Sequence, residues 1–501
     1  MKRRLWSFPG GVRLPGFKEL SNREAIVPFP IPRFIVLPLA QHAGQPAEPL
    51  VAVGERVLCG QLIARPAALV SAPVHASTSG TVVAIEERPV AHRSGIPQRC
   101  IVIESDGLDE WLPPNADEQD PWRTPAKQLV ERIRDAGIVG LGGAVFPSAV
   151  KLTPAKPVDT LIINGVECEP YITCDDLLMR SRPEAVLRGA RLLLELTGAR
   201  RCRVAVEDNK PEAAGALEQA LAQVLRDDWA ADMAVVQVPT RFPAGGEKQL
   251  IRVLTGREVP SGGLPFQVGV VCVNVGTVAA IHDALFEGRP LISRIVTVTG
   301  DGVAAPRNYE MRLGTPIREV LEQVLREDAQ DMRVHIGGPM MGFALPDDRA
   351  PVAKGTNCLL VRAQPAETRP AEAMPCIRCG ACVEVCPVRL MPQQLYWHAR
   401  AGELDKAQKQ HLFDCIECGC CAHVCPSRIP LVQYYQFAKH ELREAQRRAR
   451  KAELARTRNE QRQARLERQK AEKAAKRRSR GKPKRDEGAE AAEANGDEAA
   501  A

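Results

Sequence analysis

Between Pro375 and Pro430 the chain writes one cysteine pattern twice: Cys376-x2-Cys379-x2-Cys382-x3-Cys386-Pro387, then Cys415-x2-Cys418-x2-Cys421-x3-Cys425-Pro426. In runs of this kind three thiolates wrap one [4Fe–4S] cubane and the fourth reaches across to the other cluster, so the two runs must fold against each other. The expected ligand sets are Cys376, Cys379, Cys382 and Cys425 for one cluster, and Cys415, Cys418, Cys421 and Cys386 for the other. A chain built this way handles electrons. Two zinc knuckles are the competing assignment, but zinc sites separate their CxxC pairs by a longer stretch and have no use for a Cys-Pro ending. Disulfides fit worse, because 501 residues with 45% hydrophobic content need no covalent staples. The other eight cysteines are scattered and read as small buried residues. Cys420 abuts Cys421 and competes with it as a ligand, but only Cys421 repeats the spacing of the first run.

Length implies roughly three to four domains. The most apolar stretches, Arg33 to Leu39 and Val268 to Ile281, are too short and interrupted to span a bilayer. Lys2, Arg3 and Arg4 run straight into Pro9-Gly10-Gly11 without an apolar core, so no secretory signal is expected and the thiolates are expected to stay in the reducing cytoplasm. The formal charge of +7 has one source. Residues 441–501 hold 19 Lys+Arg against 12 Asp+Glu, whereas residues 1–440 hold 49 of each sign. Up to Arg485 this tail is polar on every side of a helix, and beyond it an acidic Ala/Glu/Gly end cannot pack. It reads as a solvated, helical or disordered appendage, or as a basic surface that leans on anionic lipid or an acidic partner. Nucleic acid is unlikely, since the stretch has no aromatic residue for base stacking.

Residues 33–106 alternate apolar and polar positions between glycine turns, as half-buried strands do. The phrases around Val51-Ala-Val-Gly54 and Ala72-Pro-Val-His resemble the barrel-sandwich hybrid of lipoyl and biotin carriers, but no lysine lies between Val51 and Asp106 to carry a group. A Pro- and acid-rich stretch, Leu112 to Pro121, follows. From Trp122 to Pro290 helices and strands alternate: helices at Ala126 to Ala136, Pro183 to Leu196 and Pro211 to Leu225, strands at Leu161 to Asn164, Cys202 to Val206 and Ala234 to Pro239. That order predicts an α/β domain with a mostly parallel sheet. Ser293 to Met341 reads as a small α+β module with a helix at Ile317 to Arg326.

Four glycine- or asparagine-rich turns lie in the α/β stretch. In Gly140-Leu-Gly142-Gly143-Ala-Val-Phe-Pro-Ser-Ala-Val-Lys151, close glycines let backbone N–H groups approach phosphate and Lys151 can neutralise charge. It is not the dinucleotide fingerprint, because Val145 stands where the third glycine would fall. Asn164-Gly-Val-Glu167-Cys-Glu169-Pro-Tyr171 sets acids, an amide and an aromatic at the end of a strand, where ligands dock in open α/β sheets. Gly245-Gly246-Glu247 and Asn274-Val-Gly276-Thr277 are turn signals when taken singly.

Their order closely resembles the flavin- and NADH-binding subunit of respiratory complex I. With the sandwich in front, a ubiquitin-like ligand-binding module beginning at Val298-Thr-Gly-Asp-Gly302 and the double cluster behind, residues 1–440 resemble the RnfC family of the Rnf (Rsx) ion-translocating electron-transport complexes. The resemblance implies a multidomain α/β and α+β fold: a barrel-sandwich hybrid at 1–115, a complex I flavoprotein-like α/β domain at 116–290, a β-grasp-like ligand-binding module at 291–365, a bacterial-type double-cluster ferredoxin domain at 366–440 and the charged tail at 441–501. It implies FMN held by Gly140, Gly142, Gly143 and Lys151 with Asn164 and Asn274 near the flavin, and NADH beside Glu167, Glu169, Tyr171, Gly245, Gly246 and Glu247. Val145 replaces a glycine common in that family, and its branched Cβ is expected to exclude φ > 0 and crowd the flavin. The implied function is a peripheral subunit on the cytoplasmic face of the inner membrane. It would take hydride from NADH and pass single electrons through two clusters to membrane subunits and a ferredoxin-like subunit, with no side chain acting as acid or base. The alternative is an electron-relay or docking subunit with a vestigial nucleotide pocket.

Overall fold

The computed structural model describes residues 4–113, 120–224, 232–329, 331–363 and 372–480. Most of the stretch from Leu112 to Pro121 and the acidic end beyond Arg485 lie outside these residues. Residues 1–436 form one unit and residues 437–501 a second.

The alternating segments of residues 34–105 fold into two small antiparallel sheets. One orders Phe34–Pro38, Gln98–Ser105, Gly80–Arg88 and Arg56–Val57, and the other Glu48–Pro49, Leu62–Arg65 and Val74–His75. Ile35, Leu37, Ile63, Val82, Ile101 and Ile103 fill the space between them. Gly80 shows how tightly this sandwich closes: it sits at φ +155°, and a Cβ there would lie 2.1 Å from the Glu104 carbonyl.

The α/β region builds a four-stranded, all-parallel sheet in the order Asp232–Val238, Arg201–Glu207, Thr160–Gly165, Val270–Asn274. The chain steps outward from the Thr160–Gly165 strand twice, then returns to its other side. The order therefore reverses between Thr160–Gly165 and Val270–Asn274, and a crevice opens at the carboxyl ends of strands at such a reversal. Buried Leu161, Ile163, Val204, Val206, Val271 and Val273 anchor the sheet to Pro183–Thr197, Pro211–Val224 and Val275–Phe286. The helix expected to end at Leu225 ends at Val224, and that expected over 126–136 spans Ala126–Asp135.

The third module is a six-stranded mixed sheet whose central strands, Ser293–Thr299 and Cys358–Ala363, run parallel beneath the helix Ile317–Val324. Its edge strand, Val27–Pro28, comes from far upstream and pairs with Arg307–Arg312. The residues before it form a strap. Trp6 N–H bonds the Val253 carbonyl, Val12 exchanges two backbone bonds with Phe242, and Gly11 N–H bonds the Val385 carbonyl beside Cys386.

The cysteine runs repeat in three dimensions as they do in sequence. Short helices Ala381–Glu384 and Cys420–His423, and left-handed residues Arg378 and Glu417, Gly380 and Gly419, Arg389 and Arg428, recur at the 39-residue offset that separates Cys376 from Cys415. The last helix, Leu431–Arg480, is exposed from Ala445 through Arg477, and Leu442 is its last buried leucine. Among the described residues no helix is long and apolar enough to cross a membrane.

Candidate functional site

A cavity of about 780 Å³ opens at the strand-order reversal. Asn164 and Asn274, the terminal residues of neighbouring strands in register, form its floor. Both carboxamides are committed to the protein. Asn164 Nδ2 donates to the Gly245 carbonyl (2.9 Å) and its Oδ1 accepts from Val166 N–H (3.0 Å). Asn274 caps the helix Val275–Phe286, accepting from Gly276 N–H at 2.9 Å, while its Nδ2 donates to Asp175 Oδ2 at 2.7 Å. They act here as positioning residues, tying the separate turns into one wall.

The glycine loop forms one side. Gly140 N–H bonds the Phe146 carbonyl at 2.8 Å, closing a tight turn that presents Gly140, Gly142 and Gly143 to the cavity. Gly143 sits at φ +100° with open space where a Cβ would be, so its backbone can meet a ligand face on. Opposite, Gly245 and Gly246 lead into the nine-residue helix Glu247–Thr255, whose free N–H groups and dipole favour an anion. Lys151 and Glu247 both line the cavity and pair with each other across it. A phosphate arriving there would find backbone donors and a lysine able to exchange partners.

Glu167 and Glu169 also line the cavity, held by contacts that are distant in sequence. Lys18, from the strap, donates through Nζ to the carbonyls of Glu167 (2.7 Å), Glu169 (2.8 Å) and Ile172 (2.5 Å). Burial lowers its pKa against the pull of Glu167. Lys210, buried beside Glu207 at 2.5 Å, reaches the same Glu167 carbonyl at 3.3 Å. Burial works against its charge, but Glu207 and Glu167 outweigh this and raise its pKa. Glu169 Oε1 accepts from Met340 N–H (2.6 Å) and Met341 N–H (3.0 Å), fastening the third module to the cavity rim. Burial raises the Glu169 carboxyl, and those two N–H groups oppose the rise.

Eleven of the twelve nucleotide-site residues read from sequence thus come together, and Tyr171 does not. Its backbone turns to φ +71°, its N–H bonds the Gly16 carbonyl at 2.8 Å, and its ring stacks on Phe17 with centroids 4.6 Å apart. The aromatic therefore serves the strap. Val145 departs from expectation too: it adopts φ +43° despite its branch. Its side chain packs on the main core and is absent from the cavity wall, so it does not crowd the glycine loop. Lys18, Lys210 and the Gly338–Met341 rim are not legible as site residues in the sequence, since their roles arise from contacts spanning up to 172 residues.

The cysteines gather as two mixed groups. Cys386, Cys415, Cys418 and Cys421 line one small enclosed space together with Ile416, Leu390 and Tyr435. Cys382 lies within electrostatic reach of Cys379 and Cys425. Backbone donors already point at sulfur: Leu390 N–H to Cys386 Sγ at 3.2 Å and Glu417 N–H to Cys415 Sγ at 3.4 Å. Such bonds stabilise thiolate charge, so the donor set suits a cluster. Cys420 is absent from that space; fully buried, it packs with Val12 and Phe242. Ile416 lines both this space and the large cavity.

Known families match module by module. A barrel sandwich hybrid domain of RnfC matches residues 6–108, the Nuo51 FMN-binding domain residues 133–283, the SLBB domain residues 295–344 and a 4Fe–4S dicluster domain residues 375–429. The RnfC subunit of the ion-translocating oxidoreductase complex in Pseudomonas aeruginosa is 51% identical over 90% of this chain and 57% of its own length. That of Pasteurella multocida is 46% identical over 90% of this chain and 53% of its own length. The chain thus spans a little over half of these relatives. A solved NAD+-reducing [NiFe]-hydrogenase in the H2-reduced state is 20% identical with a TM-score of 0.46, over 64% of this chain and 62% of that one. On the strength of its near relatives, the chain belongs to the RnfC family, whose members are subunits of ion-translocating oxidoreductase complexes.

Proposed function

We propose that this chain takes hydride from NADH at the glycine-lined cavity and sends the electrons singly through two [4Fe–4S] clusters toward other subunits of an ion-translocating membrane complex. The observation that carries this reading is Ile416, one side chain that walls both the cavity and the space enclosed by Cys386, Cys415, Cys418 and Cys421. FMN bound in the cavity would supply the conversion from electron pair to single electrons that clusters require. Gly140, Gly142, Gly143, Lys151 and the start of the Glu247–Thr255 helix would hold its phosphate, and Glu167, Glu169 and the Gly245–Gly246 turn would line the nicotinamide side. The group with Cys386, Cys415, Cys418 and Cys421 is then the nearer cluster. The group with Cys376, Cys379, Cys382 and Cys425 faces outward: Cys379 and neighbouring Ile377 are exposed, which suits delivery to a partner's redox centre.

The test is the visible spectrum of anaerobically purified protein before and after NADH. Bleaching of a flavin band is expected. Cluster absorbance without any NADH response would favour a relay subunit with a vestigial pocket.

A further inference from the structure

A second cavity, of about 720 Å³, lies behind the first, and the two share Leu141, Cys174 and Asp175 as a wall. Its rim includes the exposed residues Glu287 and Arg289, so it opens to solvent. Asp175 is the only one of the three wall residues with a side chain that exchanges protons readily; Cys174 is held as a thiol by burial. Asp175 is fixed in place by two contacts. Its Oδ2 accepts from Asn274 Nδ2 at 2.7 Å, and its backbone N–H donates to Glu167 Oε1 at 2.8 Å. Ligand atoms of Glu167, Cys174 and Asp175 all lie within 4.8 Å of one another, so two carboxyls share one enclosed corner of the cavity.

The functional reading above creates a chemical demand at this wall. Oxidising NADH breaks the nicotinamide C–H bond and yields NAD+, two electrons and one proton. The clusters accept the electrons one each and pass them on, but they do not take the proton. It must reach a protein group or water. We propose that Asp175 accepts this proton from the first cavity and releases it to water through the second. The role rests on the proposed NADH oxidation, and it adds a proton acceptor to a hydride step that itself needs none.

The surroundings of the carboxyl suit that role. Burial, then the Glu167 charge, pushes Asp175 up to about 7, while the Asn274 hydrogen bond and the charges of Arg294 and Lys210 pull it down. A carboxyl balanced there gains and loses a proton with little cost in either direction near neutral pH.

The experiment uses the full chain, with Asp175→Asn and Asp175→Glu beside the wild type. In the resting protein, without NADH, an infrared carboxylic C=O band should fade as pH rises through about 7 and be missing in Asp175→Asn. In NADH oxidation with ferricyanide, wild-type kcat should climb through the same range, because only the ionised carboxyl accepts a proton. Asp175→Asn should be slower by about tenfold or more and lose that climb; Asp175→Glu should restore it. Infrared titrations that coincide for wild type and Asp175→Asn, or coincident pH profiles with bleaching intact, would overturn the proposal. Failure of NADH to bleach the wild type would overturn the functional reading and the proposal together, and is told apart by that missing bleach.

Discussion

Val145 occupies the left-handed region at φ +43°, where a residue with a Cβ pays about 1–2 kcal/mol. Its side chain is directed into the core, so the site keeps the glycine-like backbone without a Cβ in the ligand's path. Val145→Gly should therefore shift FMN affinity of the cofactor-depleted protein by no more than a few-fold, measured by fluorescence titration; much tighter binding would mean that the branch does obstruct. Cys420 offers a second check at this scale. It lies outside the space shared by Cys386, Cys415, Cys418 and Cys421, so Cys420→Ala should retain about eight irons per chain while Cys421→Ala loses iron. Equal loss in both would place the register one residue off. Glu169→Gln weakens two charge-assisted bonds to the Met340 and Met341 N–H groups, at about 1–2 kcal/mol. Together with Lys151→Ala it should slow ferricyanide-coupled NADH oxidation and leave iron content unchanged. The cysteine, glycine and acidic residues are legible in the sequence because the spacing itself encodes their chemistry. Tyr171 misleads because nothing local reveals that Phe17 waits to stack on it. Lys18 escapes notice for the same reason: its three carbonyl acceptors lie about 150 residues away along the chain.

At the level of elements, strand alternation in 33–106 and the βα alternation after Trp122 translate directly into the two small sheets and the parallel sheet. Period-two and helical patterns are local, so they survive folding nearly intact. What sequence periodicity does not carry is how an irregular segment crosses between modules. The strap touches the Glu247–Thr255 helix through Trp6 and Val253, the cluster region through Gly11 and Val385, and the cavity loop through Lys18. The tail helix is legible as polar all round, and its side chains are exposed beyond Glu444. Because Leu442 is buried, the informative truncation falls after Glu444, and not at residue 440. If the basic stretch helps docking, the full chain should leave inner-membrane vesicles more steeply with salt than the truncated form, as the Debye length falls to about 8 Å and below. Superimposable curves would leave the tail a solvated extension.

For the molecule as a whole, Lys354 is the buried charge site that joins three modules. Fully enclosed, its Nζ donates to the Pro73 carbonyl of the sandwich (2.9 Å) and the Gly137 carbonyl of the α/β region (2.7 Å). Burial pulls its pKa down from 10.5 to about 7. His75 and His42 nearby are pulled down to about 3 and about 4, by burial and then by Lys354. A basic group with a lowered folded pKa binds fewer protons folded than unfolded between its two pKa values, so stability rises with pH across that window. The histidines should therefore cost stability as pH falls below about 6.5, and Lys354 should add stability as pH climbs from about 7 toward 10.5. Lys354→Met should flatten the rise of Tm on the alkaline side, read by thermal melts across pH; an unchanged slope would mean that this amine stays charged when buried.

The proximity of cavity and cluster through Ile416 is the central claim, and electron paramagnetic resonance of the full chain frozen after anaerobic NADH tests it most directly. Reduced [4Fe–4S] signals should appear together with flavin bleaching. A bleached flavin beside clusters that stay oxidised with NADH, yet reduce with dithionite, would contradict the account.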